Sequence, residues 1–279
     1  MNFIKHNGKI FPVNQPVLPV SNRGFKYGDG IFETIRFENG KLPLKRLHFE
    51  RMLSGLHSLR ILFPDNLKEK IGREIPELCA LNNIVSVGRV RVTVFRDENN
   101  QAGYVIEANE FKQTPGTWLE EAMQIVIFKD AVKAIDKFSN LKTCSFLPYA
   151  MASAYAETAG YNDALIENSF QRIADSSRAN IFIIKNREII TPPLTEGCVA
   201  GVMRRFILEN LSKNFSIKEL ALGRNDLETG DEIFLTNALR GISWVKKFGD
   251  RTFDQAVMVK EIHQHLVHHL HIEIAGNEG

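Results

Sequence analysis

Within SNLKTCSFLPYAMASAYAETAGYNDALIENSFQRIADSSRANIF, from Ser139 to Phe182, one lysine precedes an Ala-rich helical pattern and one acid sits in a Ser-rich turn between apolar runs. The lysine, Lys142, follows Ser139, Asn140 and Leu141 and is followed by Cys144, Phe146 and Leu147, which sets it against apolar surface. Desolvation disfavours an ammonium, and a lysine so treated is suited to forming a Schiff base with a carbonyl. Its neighbours alone favour a plainer reading, a solvated lysine whose stem lies on apolar surface. The weight therefore falls on what accompanies it. Asp175 is an acid in a turn. Arg51 sits near the middle of a helix expected over 46–61, where Leu47, Met52, Leu56 and Leu59 recur at helical spacing. The glycine-led run TEGCVAGVMRRFILENL opens a helix whose first amides, at Gly201, Val202 and Met203, would present unpaired N–H groups and partial positive charge to a phosphate.

The elements that must position these groups follow from the pattern. Residues 3–11 alternate around Asn7-Gly8 and predict an edge hairpin. The polar turn SNRGFKYGDG leads into the strand IFETIRF, and Asn39-Gly40 closes a second hairpin; Gly28 and Gly30 free the backbone for a close approach. A second amphipathic helix is expected over 66–81, before the strand GRVRVTVFRD. That strand alternates Val90, Val92 and Val94 with Arg89, Arg91 and Thr93. Its two arginines read either as a fork for a substrate carboxylate or as a solvated strand face. A return strand spans 104–108, and Pro115-Gly116 marks an interdomain linker at 114–118. The second half predicts the strand MQIVIF, a helix over 149–159, strands in DALI, IADSSRANIFII, REIIT, IKEL and DEIFLTNALRGISWV, and a final helix over 255–270. The expectation is a small N-terminal α/β domain over 1–113 and a larger C-terminal domain over 119–279 that carries Lys142.

Composition excludes other classes. With 279 residues, 44% hydrophobic, and a formal charge of +2, the chain has a sizeable core and no dense basic block of the kind nucleic-acid surfaces show. No apolar run approaches a membrane span and the N-terminus lacks a signal core, which predicts a soluble cytoplasmic protein. Cys79, Cys144 and Cys198 are widely spaced, suggesting buried reduced thiols rather than disulfides or zinc. His263, His265, His268, His269 and His271 share the last helix, but no HExxH frame or further ligand completes a metal set, and a solvated face is favoured. No GxSxG frame is present.

A candidate Schiff-base lysine, an acid in a turn, an arginine on an early helix and a helix start suited to phosphate together answer the needs of pyridoxal 5′-phosphate, whose aldehyde needs a lysine, whose ring nitrogen needs a carboxylate and whose phosphate needs cationic and N–H donors. The sequence resembles the class-IV aminotransferases of fold type IV, which include branched-chain and D-amino acid aminotransferases and 4-amino-4-deoxychorismate lyase. The likeness covers YGDGIFETIR, HFERM, LK before the helix at Tyr149, GYNDALI, IADSSRANIF, GVMRRF and DEIFLTNAL. It implies an α/β (α+β) fold with a barrel-like sheet in the larger domain, and a homodimer with the cofactor between the domains. It further implies that Lys142 carries the cofactor and shuttles protons and that Arg51 binds the phosphate. Val202 and Met203 with the turn Thr236, Asn237 and Ala238 would complete the phosphate cup. The family's ring-nitrogen partner is usually glutamate, and Asp175 holds that place one methylene short. Either the ring sits closer to this strand or a water bridges the gap, with Glu167 the alternative acid.

The resemblance leaves the reaction divided. Reprotonation on the cofactor after α-proton removal gives transamination; loss of a β leaving group gives a lyase. TNAL and GVMRRF look closest to the aminodeoxychorismate lyases, which release pyruvate and p-aminobenzoate for folate. Leu147 stands where branched-chain enzymes carry a tyrosine, and Phe32 and Gln101 where D-amino acid enzymes bind the carboxylate. DENNQAG departs from the arginine- and glycine-rich loop of the lyases. Tyr27, Phe32, Arg89, Arg91, Arg96 and Arg240 are the pool for contacting a small amine substrate with a carboxylate. Elimination is placed ahead of transamination, and a non-catalytic cofactor-binding protein is the third reading.

Overall fold

The computed structural model describes residues 2–113, 116–118 and 120–276, in two compact units. Thr114 and Pro115 of the expected linker lie outside the described residues, as does Leu119. The first unit holds Met1–Pro115 together with Leu141–Ser145 and Glu273–Gly279. Its strands are β1 (Phe3–His6), β2 (Lys9–Pro12), β3 (Gly30–Glu38), β4 (Val87–Arg96) and β5 (Ala102–Glu110); its helices are α1 (Arg23–Tyr27), α2 (Lys45–Ser58) and α3 (Leu67–Leu81). The sheet runs β2-β1-β5-β4-β3. The expected hairpin is there, turning on Asn7 and Gly8 at positive φ. Val90, Val92 and Val94 pack with Ile31, Ile35 and Phe37 against Phe49, Met52 and Leu56 of α2 and Ile71, Ile75 and Leu78 of α3. Burying that apolar face with both helices is what stabilises the unit. Phe32, Thr34, Arg89 and Arg91 fall on the other face by strand alternation.

Two local expectations give way. The turn before β3 contains α1, because Asn22 Oδ1 accepts the Phe25 N–H at 3.0 Å and Gly28 closes the helix in the left-handed conformation. Asn39-Gly40 makes a tight turn with only a Glu38–Lys41 bridge after it, and β3 pairs with β4 instead.

Residues 141–145, expected in the C-terminal domain by chain order, pack as part of the first unit. The Phe32 N–H donates to Lys142 O at 2.9 Å, the Cys144 N–H to Gly30 O at 2.8 Å, and Thr143 bridges Ile31. The lysine segment thereby covers the open edge of β3. Gly28 permits the fit: a Cβ there would stand 2.8 Å from Ser145 N and 2.9 Å from its Cα.

The second unit, Gly116–Asn140 with Phe146–Ile272, is built on β6 (Met123–Lys133), β7 (Asp163–Asn168), β8 (Ile173–Ser176), β9 (Asn180–Lys185), β10 (Glu188–Thr191), β11 (Ile217–Glu219), β12 (Glu232–Asn237), β13 (Gly241–Phe248) and β14 (Arg251–Thr252). Its sheet order is β11-β10-β9-β12-β13-β6-β7-β8, with β14 on β13. The Ile173 N–H in end strand β8 donates to Leu222 O at 2.7 Å, three residues past Glu219, where the opposite end strand β11 closes. The ends of the sheet thus meet, and it curls as a barrel-like wall. Ile125, Leu165, Ile181, Ile183 and Ile233 form a core on one face of the sheet, and Phe182 and Phe234 stack at 4.9 Å on the other. The helices are α4 (Leu147–Thr158), α5 (Val202–Leu211), α6 (Arg224–Thr229) and, as far as Ile272, α7 (Val257–Gly276). The short α6 and β14 carry too little pattern to be read from sequence. His263 on α7 is buried, not solvated, bonding Gly116 O at 3.2 Å with Trp118 edge-on. Cys79 and Cys198 are buried, whereas Cys144 is half-buried. No described helix is long and apolar enough to cross a membrane.

Gly28→Ala combines a left-handed backbone with a clash against the Ser145 backbone and should lower stability by about 1–3 kcal/mol. Gly40→Ala has the same sign of φ but open space around it and should cost less. Thermal unfolding of both variants measures the difference.

Candidate active site

In the first unit two clusters surround the candidate residues. On the helix side of β3, Glu33 is buried at the centre of a charged triad. Arg51 donates to it through two nitrogens, Nε to Oε1 at 2.7 Å and Nη2 to Oε2 at 2.5 Å, and His48 Nδ1 lies 2.7 Å from Oε2. Burial alone would push the Glu33 carboxyl up, but the Arg51 charge and the hydrogen bonds from His48 and Arg51 outweigh it and hold the carboxyl at about 2. Burial lowers His48 below its usual range against the opposing pull of Glu33, so it stays neutral and donates through Nδ1. Its Nε2 is buried with no hydrogen-bond partner among the described residues. Arg51 is thereby held by a fork on one of its edges.

On the opposite face, Phe32 is 4% exposed and carries two cations. Lys142 Nζ lies 4.5 Å from its ring centroid and Arg91 Cζ lies 3.8 Å from it. Arg91 also donates from Nε to Thr93 Oγ1 at 3.2 Å. Burial lowers its pKa, and a guanidinium stacked on an aromatic ring gives up rotamer freedom before any anion arrives. An amine and a guanidinium thus share one buried apolar ring.

In the second unit Asp175, 2% exposed, is the central acid. Its Oδ2 accepts the Tyr149 hydroxyl at 3.0 Å and the Val199 N–H at 2.8 Å. Val199 is held in turn by Asn180, whose Nδ2 donates to Val199 O at 2.9 Å. Asn180 also abuts Gly201, where any Cβ would overlap Asn180 Oδ1, and stands beside Thr236 in the β9/β12 register. One asparagine therefore joins the acid to the start of α5 and to the end of β12. Gly201 leaves α5 without a side-chain cap, and Thr236 Oγ1 is buried with no hydrogen-bond partner among the described residues. The Asn237 carboxamide turns the chain by accepting the N–H groups of Leu239, 3.1 Å, and Arg240, 2.9 Å, and Ala238 lies within that turn. Asn140, just before the lysine segment, donates to Leu194 O and Cys198 O at 2.8 and 2.7 Å.

A model of the family described as amino-transferase class IV matches residues 30–248. The chain belongs to that family. It is 30% identical over 245 residues to an aminodeoxychorismate lyase of Bacillus subtilis, covering 84% of this chain and 82% of the relative. It is 27% identical over 268 residues to a probable branched-chain-amino-acid aminotransferase of Aquifex aeolicus, covering 90% and 86%. The fold is that of a branched-chain aminotransferase from Thermoproteus uzoniensis solved with norvaline, with a TM-score of 0.85 and 20% identity over 96% of this chain and 94% of that one.

Across this class-IV chain the remaining candidates are placed unevenly. Tyr27 is 66% exposed at the end of α1, under Arg23. Arg96 is committed to structure, bonding Asp29, Arg60 O, Leu59 O and Asn100. Arg89 and Arg240 are exposed. Glu167 lies in β7, half-buried. Among the described residues no group of three or more His, Cys, Asp or Glu is placed to hold a metal ion. Sequence reasoning passed over Glu33, His48, Tyr149 and Asn180. The signal was present in IFETIR, HFERM and RANIF, where polar residues interrupt apolar runs without a turn, but period alone does not tell a buried ion pair from a polar surface position.

Glu33→Gln should destabilise the chain by roughly 3 kcal/mol at neutral pH, because it breaks a buried pair. A carboxyl held at about 2 in the fold and near 4.5 when unfolded contributes stability that is complete above 4.5 and lost as the pH falls toward 2. The gap between wild type and variant in urea denaturation should therefore be constant above pH 4.5 and narrow below it.

Proposed function

We propose that this chain catalyses elimination from an amine that bears a carboxylate, the reaction of an aminodeoxychorismate lyase, giving pyruvate and p-aminobenzoate. Class-IV aminotransferases use pyridoxal 5′-phosphate, and the residues here fit it. The fit rests on the orphaned hydroxyl of buried Thr236 and on the uncapped helix start at Gly201, both of which ask for an anion's oxygens. Val202 and Met203 amides, Thr236 and the turn at Asn237 and Ala238 would hold the phosphate, with Arg51 adding positive charge. Lys142 would supply the amine, and Asp175 would face the ring nitrogen. When bound, the cofactor supplies an aldehyde and an electron-withdrawing ring.

The chain's own residues then divide the work. Lys142 takes the proton from the substrate's α carbon, a role that suits an amine held against an aromatic face. Arg91 binds the carboxylate and sets which face of the substrate Lys142 meets. Phe32 keeps water from both. The pairing of Lys142 and Arg91 on Phe32 is the observation that carries this reading. Likeness to the Bacillus lyase supports elimination; likeness to the Aquifex protein supports the second reading, transfer of an amino group to a 2-oxo acid. The protein is further proposed to be a cytoplasmic homodimer serving folate synthesis.

Purified protein should be yellow, and Lys142→Ala should lose the visible band; a variant that keeps it removes the lysine from its role. Incubation with aminodeoxychorismate and no oxo acid should release pyruvate. No release, with turnover of an amino acid plus 2-oxoglutarate, transfers the assignment to the transaminases. Arg91→Ala should raise KM by about 10- to 100-fold, the worth of a charge-assisted carboxylate contact, as read from steady-state kinetics.

A further inference from the structure

We infer that Tyr149, backed by Lys133, is a positioning residue that dictates which oxygen of Asp175 shares a proton with the bound ring. The inference rests on the reading of Asp175 as the ring-nitrogen partner. Two donors, the Tyr149 hydroxyl and the Val199 N–H, converge on the same oxygen, Oδ2. A proton on Oδ2 would point into one of them, so Oδ2 is kept as a pure acceptor and any proton the carboxyl shares must sit on Oδ1. Two bonds to one oxygen also fix the carboxyl plane, and with it the direction of Oδ1. A short acid has one fewer torsion than glutamate with which to seek a ring nitrogen, so its aim has to be built into the surroundings.

Tyr149 itself is held on several sides. It is buried in α4, stacked on Phe146 with centroids 4.4 Å apart, and Lys133 Nζ lies 5.0 Å from its ring centroid while donating to Ser139 O at 2.8 Å. A cation over a phenol ring draws electron density from the hydroxyl and strengthens it as a donor. Burial, followed by the charge of Asp175 and the hydrogen bond to it, holds the Tyr149 hydroxyl far above its usual range, so it remains a donor. Cys198, another titratable group against Asp175, is pushed up to about 12, chiefly by burial, and stays a thiol. Burial lowers Lys133, opposed chiefly by the charge of Asp175. Lys133 and Arg204 are cations that act on Cys198 in this pocket of the second unit.

The test uses holoenzyme loaded with cofactor labelled with 15N in the ring. Tyr149→Phe should move the ring-nitrogen resonance from the protonated toward the unprotonated position and lower kcat about tenfold with KM changed less than about twofold. Lys133→Gln, which keeps a donor for Ser139 O, should move the resonance the same way by less. An unmoved resonance in both variants overturns the inference and leaves Tyr149 as packing; if Tyr149→Phe fails to fold, Lys133→Gln alone decides in the same manner. Asp175→Asn separates the two levels. A shift there with none in the other variants sinks only the role of Tyr149, whereas no shift there, or a wild type that binds no cofactor, sinks the reading of Asp175 as well.

Discussion

Three residues of backbone, Lys142 to Cys144, lie along the edge of β3, and the position of the Lys142 side chain depends on that pairing. An isolated lysine on a loop would sample many positions, each costing entropy to select. Here two hydrogen bonds to Phe32 and Gly30 fix the main chain, and the Phe32 ring sits beside the resulting ammonium. The same contact protects an open sheet edge, so a structural need and a chemical one are met by one segment. Gly28 is the permissive element, since only the absence of a Cβ lets the Ser145 backbone come so close.

Two buried carboxylates show opposite ways of keeping a charge out of water. Glu33 is neutralised by a full ion pair with Arg51, and its burial penalty is overcome by charge. Asp175 takes hydrogen bonds from a hydroxyl and an amide, with Lys133 acting at longer range. The first arrangement suits a residue whose task is to hold an arginine still.

The arginines illustrate how packing sorts residues of one type. Arg89, Arg91 and Arg96 share a strand, yet Arg96 is locked into Asp29 and loop carbonyls, Arg89 is exposed, and Arg91 alone stacks on the ring beside Lys142. Strand alternation places Arg89 and Arg91 on the same face. It does not say which ring a side chain will reach, and that ring, Phe32 on β3, diagonal to Arg91 in the register, is what distinguishes them.

Periodicity in the sequence by itself determined the strands and helices that build both units: the Asn7-Gly8 hairpin, the valine alternation of β4, the amphipathic α2 and α3, and the glycine-led start of α5. It also carried the resemblance to the class-IV family through short polar motifs. These are local properties, set by backbone preference and by which face of an element is apolar, and they survive without knowledge of partners. Tertiary structure alone decided that the lysine segment packs with the first unit, that Glu33 and His48 belong with Arg51, that the Tyr149 hydroxyl bonds Asp175, and that His263 is buried. Each is a contact between residues far apart in the chain, and a polar side chain carries no sign of its future partner. Only folding brings the compensating charge or donor within reach, and only then does its burial become tolerable.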